Sequence, residues 1–250
     1  MTHGTDPKSP KFFNKLGVLL GVIIEVATGI FSKMNEAEMQ YWIGRKESFR
    51  KDLQKELQKL LNIADVFVSD RERWRKFYQK HFSIETTFAH VTVPARPIEG
   101  SWSLIFIAQG LTLNQVYDTM SKAFKCWRYS DDLDASVVKN ARNTQSAYAI
   151  WVRDGQEPDE KYLGKSANQA DPNMAIGVTF LERMIMEIKC FDWTGKHLDI
   201  KGFTLCTGSH LYGGDVPRVR WDSGDQEVRI RWSSLDGFSS DYGLREAISR

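Results

Sequence analysis

The sequence contains only three cysteines, Cys126, Cys190 and Cys206, and no two of them are close together in the chain. A sparse and odd set favours buried thiols in a reducing compartment such as the cytoplasm, although one disulfide plus one free thiol stays open. No CxxC or HxxxH pair is present to begin a tetrahedral zinc site. The sequence therefore predicts no metal or other cofactor.

An excess of charge of one sign is also lacking. Lys and Arg number 34 and Asp and Glu 32, which gives a net charge of +2 in 250 residues. No global field attracts the chain to nucleic acid or to an anionic membrane, so both are disfavoured as partners unless a local patch binds them. Hydrophobic residues at 42% and charged residues at 26% are typical of globular proteins.

An uninterrupted hydrophobic run is missing too. The apolar stretch 16–31 contains Glu25 and is shorter than the roughly 20 residues that a bilayer span needs. No small-residue cleavage site follows it cleanly, which disfavours a signal peptide. We expect a buried or interfacial helix, and membrane association through this stretch stays open.

The N-terminal third of the sequence contains helical patterns. Residues 35–63 predict one amphipathic helix, and residues 70–81 predict a second with Ser69 as its N-cap. The apolar positions would suit a helical hairpin: Leu57, Leu60, Trp74 and Phe77. The sequence thus predicts an N-terminal helical module over 1–83 with a loose start, whose helices at 35–83 could dock a partner.

Residues 84–250 alternate between strand and helix patterns. Strands are predicted at 86–93, 102–107 and 148–152, with long loops at 129–146 and 154–173. One helix should begin at Thr112, which can form a capping box with Gln115. A second should begin at Asp171-Pro172 and end at Gly195. The fold class predicted is α+β, with small antiparallel sheets and two helices.

The segment 205–250 is the most informative. Residues 216–221 and 228–232 alternate with period two around a Gly-containing turn, which predicts a hairpin. This alternation turns Trp221 and Trp232 inward and four arginines outward, and flanks rich in Gly, Ser, Asp and Tyr suit a display surface. The candidate ligand-binding residues are Ser209, His210, Tyr212, Arg218, Arg220, Arg229, Arg231, Asp236, Phe238 and Tyr242.

The order of these elements carries a resemblance. A YAIWV strand, the helix TFLERMIMEIKCF, LCTGSH, a VPxVxW hairpin and a terminal LREAIS resemble the variable proteins of diversity-generating retroelements, among them hypothetical proteins of uncultivated small-genome bacteria. The resemblance covers about residues 100–250 and rests on layout. It implies a C-type-lectin-like fold, a hypervariable ligand-binding surface near the C-terminus and no catalytic role.

Two departures from that pattern matter. The family often ends in a Gly-Phe-Arg-like strand, whereas the matching stretch here is Gly243-Leu-Arg245. Calcium-binding lectins use a Glu-Pro-Asn loop and a Trp-Asn-Asp strand. The counterparts here, Glu157-Pro158-Asp159 and Trp221-Asp222, are far apart in the sequence. Calcium needs six to eight converging oxygens, so we predict no calcium site.

Two other functions stay open at this stage. Formylglycine-generating enzymes share the lectin-like fold and use cysteines, for which Cys190 and Cys206 would be the candidates, but no nucleophile elbow, P-loop or GxGxxG is present. A nucleic-acid or anionic-surface binder could use the arginine side of the hairpin. The prediction is a non-enzymatic protein that binds a protein or another macromolecular ligand.

Overall fold

The computed structural model describes residues 10–60 and 67–249, with side chains at 20–53 and 67–249. The chain divides into two compact units, Met1–Val66 and Phe67–Arg250. The described part of the first contains helices only, and the second combines helices with small sheets. The predicted α+β class is confirmed.

Three helices lie in the described part of the N-terminal unit: α1 (Pro10–Phe31), α2 (Glu36–Gly44) and α3 (Lys46–Leu60). Asn35 and Glu38 form a capping box that begins α2. The single helix predicted over 35–63 is interrupted at Arg45, whose backbone leaves the helical region at φ −112° and ψ 22°. Across the break, the rings of Trp42 and Phe49 pack at 5.4 Å. Residues 61–63 lie outside the described residues.

Helix α1 carries exposed apolar side chains: Leu20, Val22, Ile24, Val26 and Ile30. The described side chains of α1 are mostly exposed, so the expectation of a buried helix is wrong for this part of it. The alternative of an interfacial helix stays a prediction. Among the described residues, no helix is both long and apolar enough to cross a lipid bilayer.

The helix predicted at 70–81 belongs to the C-terminal unit. It spans Val68–Phe82 (α4), and Trp74, Phe77 and Tyr78 are buried in the core of that unit. The Trp74 indole donates to the Leu104 carbonyl at 3.1 Å, and the Tyr78 hydroxyl donates to the Phe106 carbonyl at 2.8 Å. Because these contacts bind α4 to the strand that follows it, the units divide at Val66/Phe67 and not at 83/84.

The prediction for this helix also included a cap at Ser69 and a hairpin contact with the preceding helix. Ser69 does not cap α4, because the helix already begins at Val68, and its N-terminus has no side-chain cap. The side chains of Leu57 and Leu60 lie outside the described residues, so the predicted hairpin contact with Trp74 and Phe77 is not described.

The core sheet of the C-terminal unit has the order β1-β4-β10. Strands β1 (Trp102–Ile107) and β4 (Tyr148–Arg153) confirm two predictions and pair antiparallel, and β10 (Ala247–Ile248) adds the end of the chain. Helix α5 (Leu113–Ala123) begins with the predicted capping box of Thr112 and Gln115. Helix α8 (Phe180–Thr194) ends at Gly195 in a left-handed conformation, also as predicted.

The start of α8 differs from the prediction at Asp171-Pro172. Thr179 caps the helix, and Glu182 completes the capping box. The Asp171 carboxylate instead accepts hydrogen bonds from the backbone of Ile176 and Gly177 at 3.0 Å and from the Thr207 hydroxyl at 2.7 Å. An aspartate before proline caps a turn here because a nearby loop, and not a helix, supplies its donors.

The segment 86–93, predicted as a strand, forms no strand. Phe88 is buried with a positive φ of 53°, which strand geometry excludes. The guanidinium group of Arg71 on α4 donates to the carbonyls of Phe88 and Val91. These carbonyls are therefore satisfied by a side chain, and the segment can bury Phe88 and Val91 without a neighbouring strand.

A second sheet has the order β2-β8-β7-β5-β9. Its strands are Cys126–Arg128 (β2), Phe203–Leu205 (β5), Val216–Asp222 (β7), Glu227–Ser233 (β8) and Tyr242–Gly243 (β9). Pairs β2–β8 and β5–β9 are parallel, whereas we predicted antiparallel pairing throughout. The strands of each parallel pair come from distant parts of the chain, so no hairpin turn in the sequence indicates that they pair.

The two predicted long loops contain short elements. Within 129–146 lie α6 (Leu133–Ser136) and β3 (Val137–Asn140), and β3 pairs with β6 (Ser209–Leu211) as a two-stranded sheet. Within 154–173 lie a 3-10 turn (Glu160–Tyr162) and α7 (Ala167–Ala170). The second loop is held by backbone hydrogen bonds from the Asn168 amide to the Leu235 carbonyl and from the Gly164 amide to the Tyr242 carbonyl.

Candidate ligand-binding surface

The hairpin β7–β8 has the predicted register. Arg218 lies opposite Arg231, and Arg220 lies opposite Arg229, so that all four arginines share one face of the sheet. We call these four residues the arginine face. The other face carries Val219, Val228 and Ile230, which are fully buried in the core. Alternation in the sequence thus sorted the two faces correctly.

Aromatic rings flank the arginine face on both sides. Trp127 on β2 pairs with Arg229 in register, and the Arg231 guanidinium carbon lies 5.4 Å from the centre of its indole. On the other side, the guanidinium carbon of Arg218 lies 4.7 Å from the ring centre of Phe203 and 4.9 Å from that of Tyr242. Cation–π contacts of this kind hold a guanidinium group in place without neutralising it.

Two of the four arginines are neutralised by carboxylates. Arg229 forms ion pairs with Asp222 at 3.2 Å, with Glu227 at 2.9 Å and with Asp225. Arg220 lies 3.8 Å from Asp241 and donates to the Trp221 carbonyl at 3.2 Å. This half of the arginine face therefore carries no excess of positive charge.

The other two, Arg218 and Arg231, form no ion pair with a carboxylate in the described part of the chain. Burial, together with the charge of Arg231, lowers the pKa of Arg218 and outweighs the opposite effect of Asp241. The Nε of Arg218 is buried and has no hydrogen-bond partner. Positive charge on this sheet is thus concentrated at one end.

The remaining candidates lie at several places. Tyr242 joins the arginine face through Arg218, whereas His210 and Tyr212 lie on or next to β6 in the two-stranded sheet. Tyr212 is 87% exposed and Phe238 is 68% exposed. The Asp236 carboxylate accepts a hydrogen bond from the Asn168 side chain at 2.8 Å. Burial and the nearby charge of Lys139 lower the pKa of His210.

Ser209 does not lie at the surface, so its prediction as a ligand-binding residue is wrong. It is fully buried, its Oγ accepts a hydrogen bond from the Phe180 amide at 2.8 Å, and it donates to the Asn140 side chain at 2.5 Å. Ser209 therefore satisfies an amide in the first turn of α8 and joins that helix to β3. In the sequence it stands among Gly and His residues that suggest only a loop.

Replacement of Ser209 by alanine is expected to destabilise the C-terminal unit by about 1–3 kcal/mol, because it leaves the buried Phe180 amide without an acceptor. Urea unfolding followed by circular dichroism would measure the change. The exposed turn residue Ser223 gives the matched control, and Ser223→Ala should change stability by less than about 0.5 kcal/mol. Equal effects of the two substitutions would contradict the assignment.

The two hairpin tryptophans, both predicted to face inward, differ. Trp221 stacks on His197, with ring centres 3.5 Å apart and planes 3° from parallel. Trp232 is 53% exposed, which corrects the prediction for this residue. Strand β2 pairs with β8 only as far as Ile230, so the end of β8 that carries Trp232 has a neighbouring strand on one side only.

A cleft of about 200 Å³ lies elsewhere on the C-terminal unit, between the start of α5 and the Arg142 region. Its polar groups are already engaged. Arg142 forms a bidentate ion pair with Glu182 at 2.7 and 2.8 Å, and the Asp134 carboxylate accepts from the Leu113 amide at 2.7 Å. Because these donors and acceptors are satisfied by the protein, the cleft offers few groups to orient a ligand.

The groups considered for metal or thiol chemistry are also engaged or buried. Among the residues that the structure describes, no three His, Cys, Asp or Glu side chains converge as a metal site would require. Glu157 accepts from the Lys201 and Gly202 amides, and Asp222 accepts from the Gly224 amide. Burial raises the pKa of the Cys206 thiol, which disfavours a reactive thiolate.

No protein-family model, no curated protein and no solved structure matches this chain.

Proposed function

We propose that this chain is a non-enzymatic ligand-binding protein that presents its C-terminal surface, within 205–250, to a macromolecular partner. The observation that carries the proposal is a group of large side chains that the fold leaves in solvent: Tyr212, Arg231, Trp232 and Phe238. Tyr, Trp and Arg are the residues that most often dominate the binding energy of protein interfaces. The fold does not need them for its core, so a role in binding accounts for them best.

The direct test compares two matched triple variants. The surface variant carries Tyr212→Ser, Asp236→Ser and Phe238→Ser, and the control carries Val68→Ser, Ile98→Ser and Asp118→Ser at exposed positions elsewhere. Each exposed substitution should change stability by less than about 0.5 kcal/mol, so both variants should keep the urea midpoint of the parent. The parent and the control should capture the same protein from a lysate of the source organism, and the surface variant should not.

Two results would count against the proposal. Capture of the same proteins by all three chains would place the binding elsewhere. Loss of cooperative unfolding in the surface variant alone would mean that these side chains stabilise the fold and are not free for a ligand.

We further propose that the C-terminal unit has a C-type-lectin-like fold and that the chain is a variable protein of a diversity-generating retroelement. Support comes from the order of β4, α8, the β7–β8 hairpin and the terminal strand, and from the position of the exposed side chains near the C-terminus. The test is genomic: a near-copy of the codons for 205–245, differing mainly at adenines and next to a reverse transcriptase gene. Absence of such a copy would remove this class assignment but not the binding function.

The helices of the N-terminal unit are proposed to dock a second partner, as predicted for 35–83. The exposed side chains of Tyr41 and Ile43 on α2 and of Leu53 on α3 support this, since exposed apolar surface can mark an interaction site. In the capture experiment above, a chain without residues 1–66 should lose this partner and keep the partner of the C-terminal surface.

The two alternative functions have weaker support. Asp222, Asp225, Glu227 and Asp241 lie against the arginine face and would repel a nucleic-acid backbone. A formylglycine-generating activity would need a reactive thiol, and the raised pKa of Cys206 argues against one at that position.

A further inference from the structure

Arg218 and Arg231 form a pair of like charges that the fold brings together and does not neutralise. They lie directly opposite each other on β7 and β8. Like charges in opposite positions of an antiparallel pair destabilise a sheet. On the same hairpin, Arg229 has three carboxylate partners, so the fold can neutralise an arginine at such a position. We call Arg218 and Arg231 the open arginine pair.

The two guanidinium groups are held in place by aromatic rings on opposite sides of the hairpin. Arg218 lies over Phe203 and Tyr242, and Arg231 lies over Trp127. A ring contacts the face of a guanidinium group, so it leaves the N–H donors at the edge without an acceptor. Because the two groups lean toward opposite sides of the hairpin, each can donate charge-assisted hydrogen bonds to a carboxylate of its own.

We propose that Arg218 and Arg231 each bind a carboxylate of an Asp or Glu side chain that a protein partner presents. This inference rests on the proposed function and deepens it by assigning the chemistry of the ligand on this part of the surface.

The surroundings favour separate carboxylates over the closely spaced charges of a polyanion. Asp222, Asp225 and Glu227 lie at one end of the hairpin, and Asp241 lies beside Arg220. A nucleic-acid strand carries a charge about every 3.4 Å, so its further phosphates would meet these carboxylates. Exposed Trp127 next to Arg231 adds apolar contact area instead. The complementary surface therefore presents acidic side chains among apolar ones.

The test selects phage-displayed random peptides on the full chain. The expected binders carry an Asp or Glu beside apolar residues. One such peptide and its amide counterpart, with Glu→Gln or Asp→Asn, would then be titrated by calorimetry against the parent, the double variant Arg218→Gln/Arg231→Gln and the charge-matched control Lys122→Gln/Lys196→Gln. Both lysines of the control are exposed and lie outside the arginine face.

The double variant should bind the acidic peptide about tenfold or more weakly, because charge-assisted hydrogen bonds are lost, and the control should stay within about twofold. The amide peptide should bind the parent as weakly and lose little more with the double variant, since the two changes remove the same interaction. Selection of peptides without acidic residues, or equal binding by the double variant, would overturn the proposal. Tighter, salt-sensitive binding of a 20-nucleotide oligothymidylate would overturn it in favour of a polyanion.

The design also separates this inference from the proposed function. Peptides that bind the double variant normally but are lost with the Tyr212, Asp236 and Phe238 variant would leave the ligand-binding function standing and remove the carboxylate site. Independence of both variants would remove both. As a folding control, the urea midpoint of the double variant should equal or exceed that of the parent, because repulsion is relieved. A clearly lower midpoint would assign the pair a structural role and overturn the proposal.

Discussion

Replacement of Asp199 by asparagine is expected to lower the free energy of unfolding of the C-terminal unit by about 3–5 kcal/mol. Asp199 is fully buried between two arginines that are themselves buried, Arg183 and Arg245. Its carboxylate accepts from Arg183 at 2.9 Å, from Arg245 at 2.5 Å and from the Thr204 hydroxyl at 2.6 Å. Without the negative charge, two guanidinium groups remain buried with less compensation, and that desolvation penalty sets the size of the effect.

Asparagine is the informative replacement because the backbone of Asp199 has a positive φ of 56°. Asparagine tolerates this region well, whereas alanine would add backbone strain to the loss of charge. Asp225 provides the control, since it also pairs with an arginine but is about half exposed. Asp225→Asn should change stability by no more than about 1 kcal/mol, because exposed ion pairs are weak.

The difference between the parent and Asp199→Asn should also depend on pH. Burial alone would raise the pKa of Asp199, but the charges of Arg183 and Arg245 outweigh it and hold the pKa below its ordinary value of 3.8. A depressed pKa in the folded state contributes stability above the unfolded pKa and loses it as the pH falls through the folded value. Urea titrations at pH 7 and below pH 4 should show the difference shrinking in acid. A difference that does not change with pH would show that the effect is not one of charge.

The elements that the sequence predicted well are those whose causes lie within a few residues. The β7–β8 hairpin follows from alternation around a Gly-containing turn, and its register follows because a shift by one position would bury four arginines. Likewise, Thr112 and Gln115 satisfy each other's backbone donors across three residues, and Gly195 ends α8 because it adopts φ 69°.

The elements that it missed depend on contacts between distant segments. Trp127 and Phe203 flank the arginine face only because β2 and β5 join the hairpin from outside it. Nothing near Phe88 reveals that Arg71, seventeen residues earlier, binds its carbonyl. Ser209 looks like a loop residue until α8 is packed against it.

On the candidate surface, too, some features have local causes and others depend on contacts between distant segments. Periodicity placed the four arginines on one face, but it could not tell which of them are neutralised. That depends on Asp241, which β9 brings close to Arg220, and on the turn that places Asp222 and Asp225 against Arg229. The open arginine pair is thus a property of the tertiary structure and not of the alternating pattern alone.

Removal of residues 1–83 is expected to abolish cooperative folding, whereas removal of residues 1–66 should leave it intact. The two fragments differ by the segment that contains α4, whose Trp74, Phe77 and Tyr78 are buried among core residues such as Phe106. Truncation of a single buried Phe or Trp to alanine removes about 3–5 kcal/mol. Loss of all three residues would remove about 9–15 kcal/mol, which is as large as the whole net stability of a domain, about 5–15 kcal/mol.

Near-ultraviolet circular dichroism and urea unfolding of fragments 67–250 and 84–250 would decide the matter. The longer fragment should give an aromatic signal and one cooperative transition, and the shorter one neither. A milder change in the full chain checks the same packing: Tyr78→Phe should cost about 1 kcal/mol, because it removes only the hydrogen bond to the Phe106 carbonyl. Cooperative unfolding of fragment 84–250 would instead place α4 outside the folding unit, since its buried aromatic residues could then be removed without loss of the core.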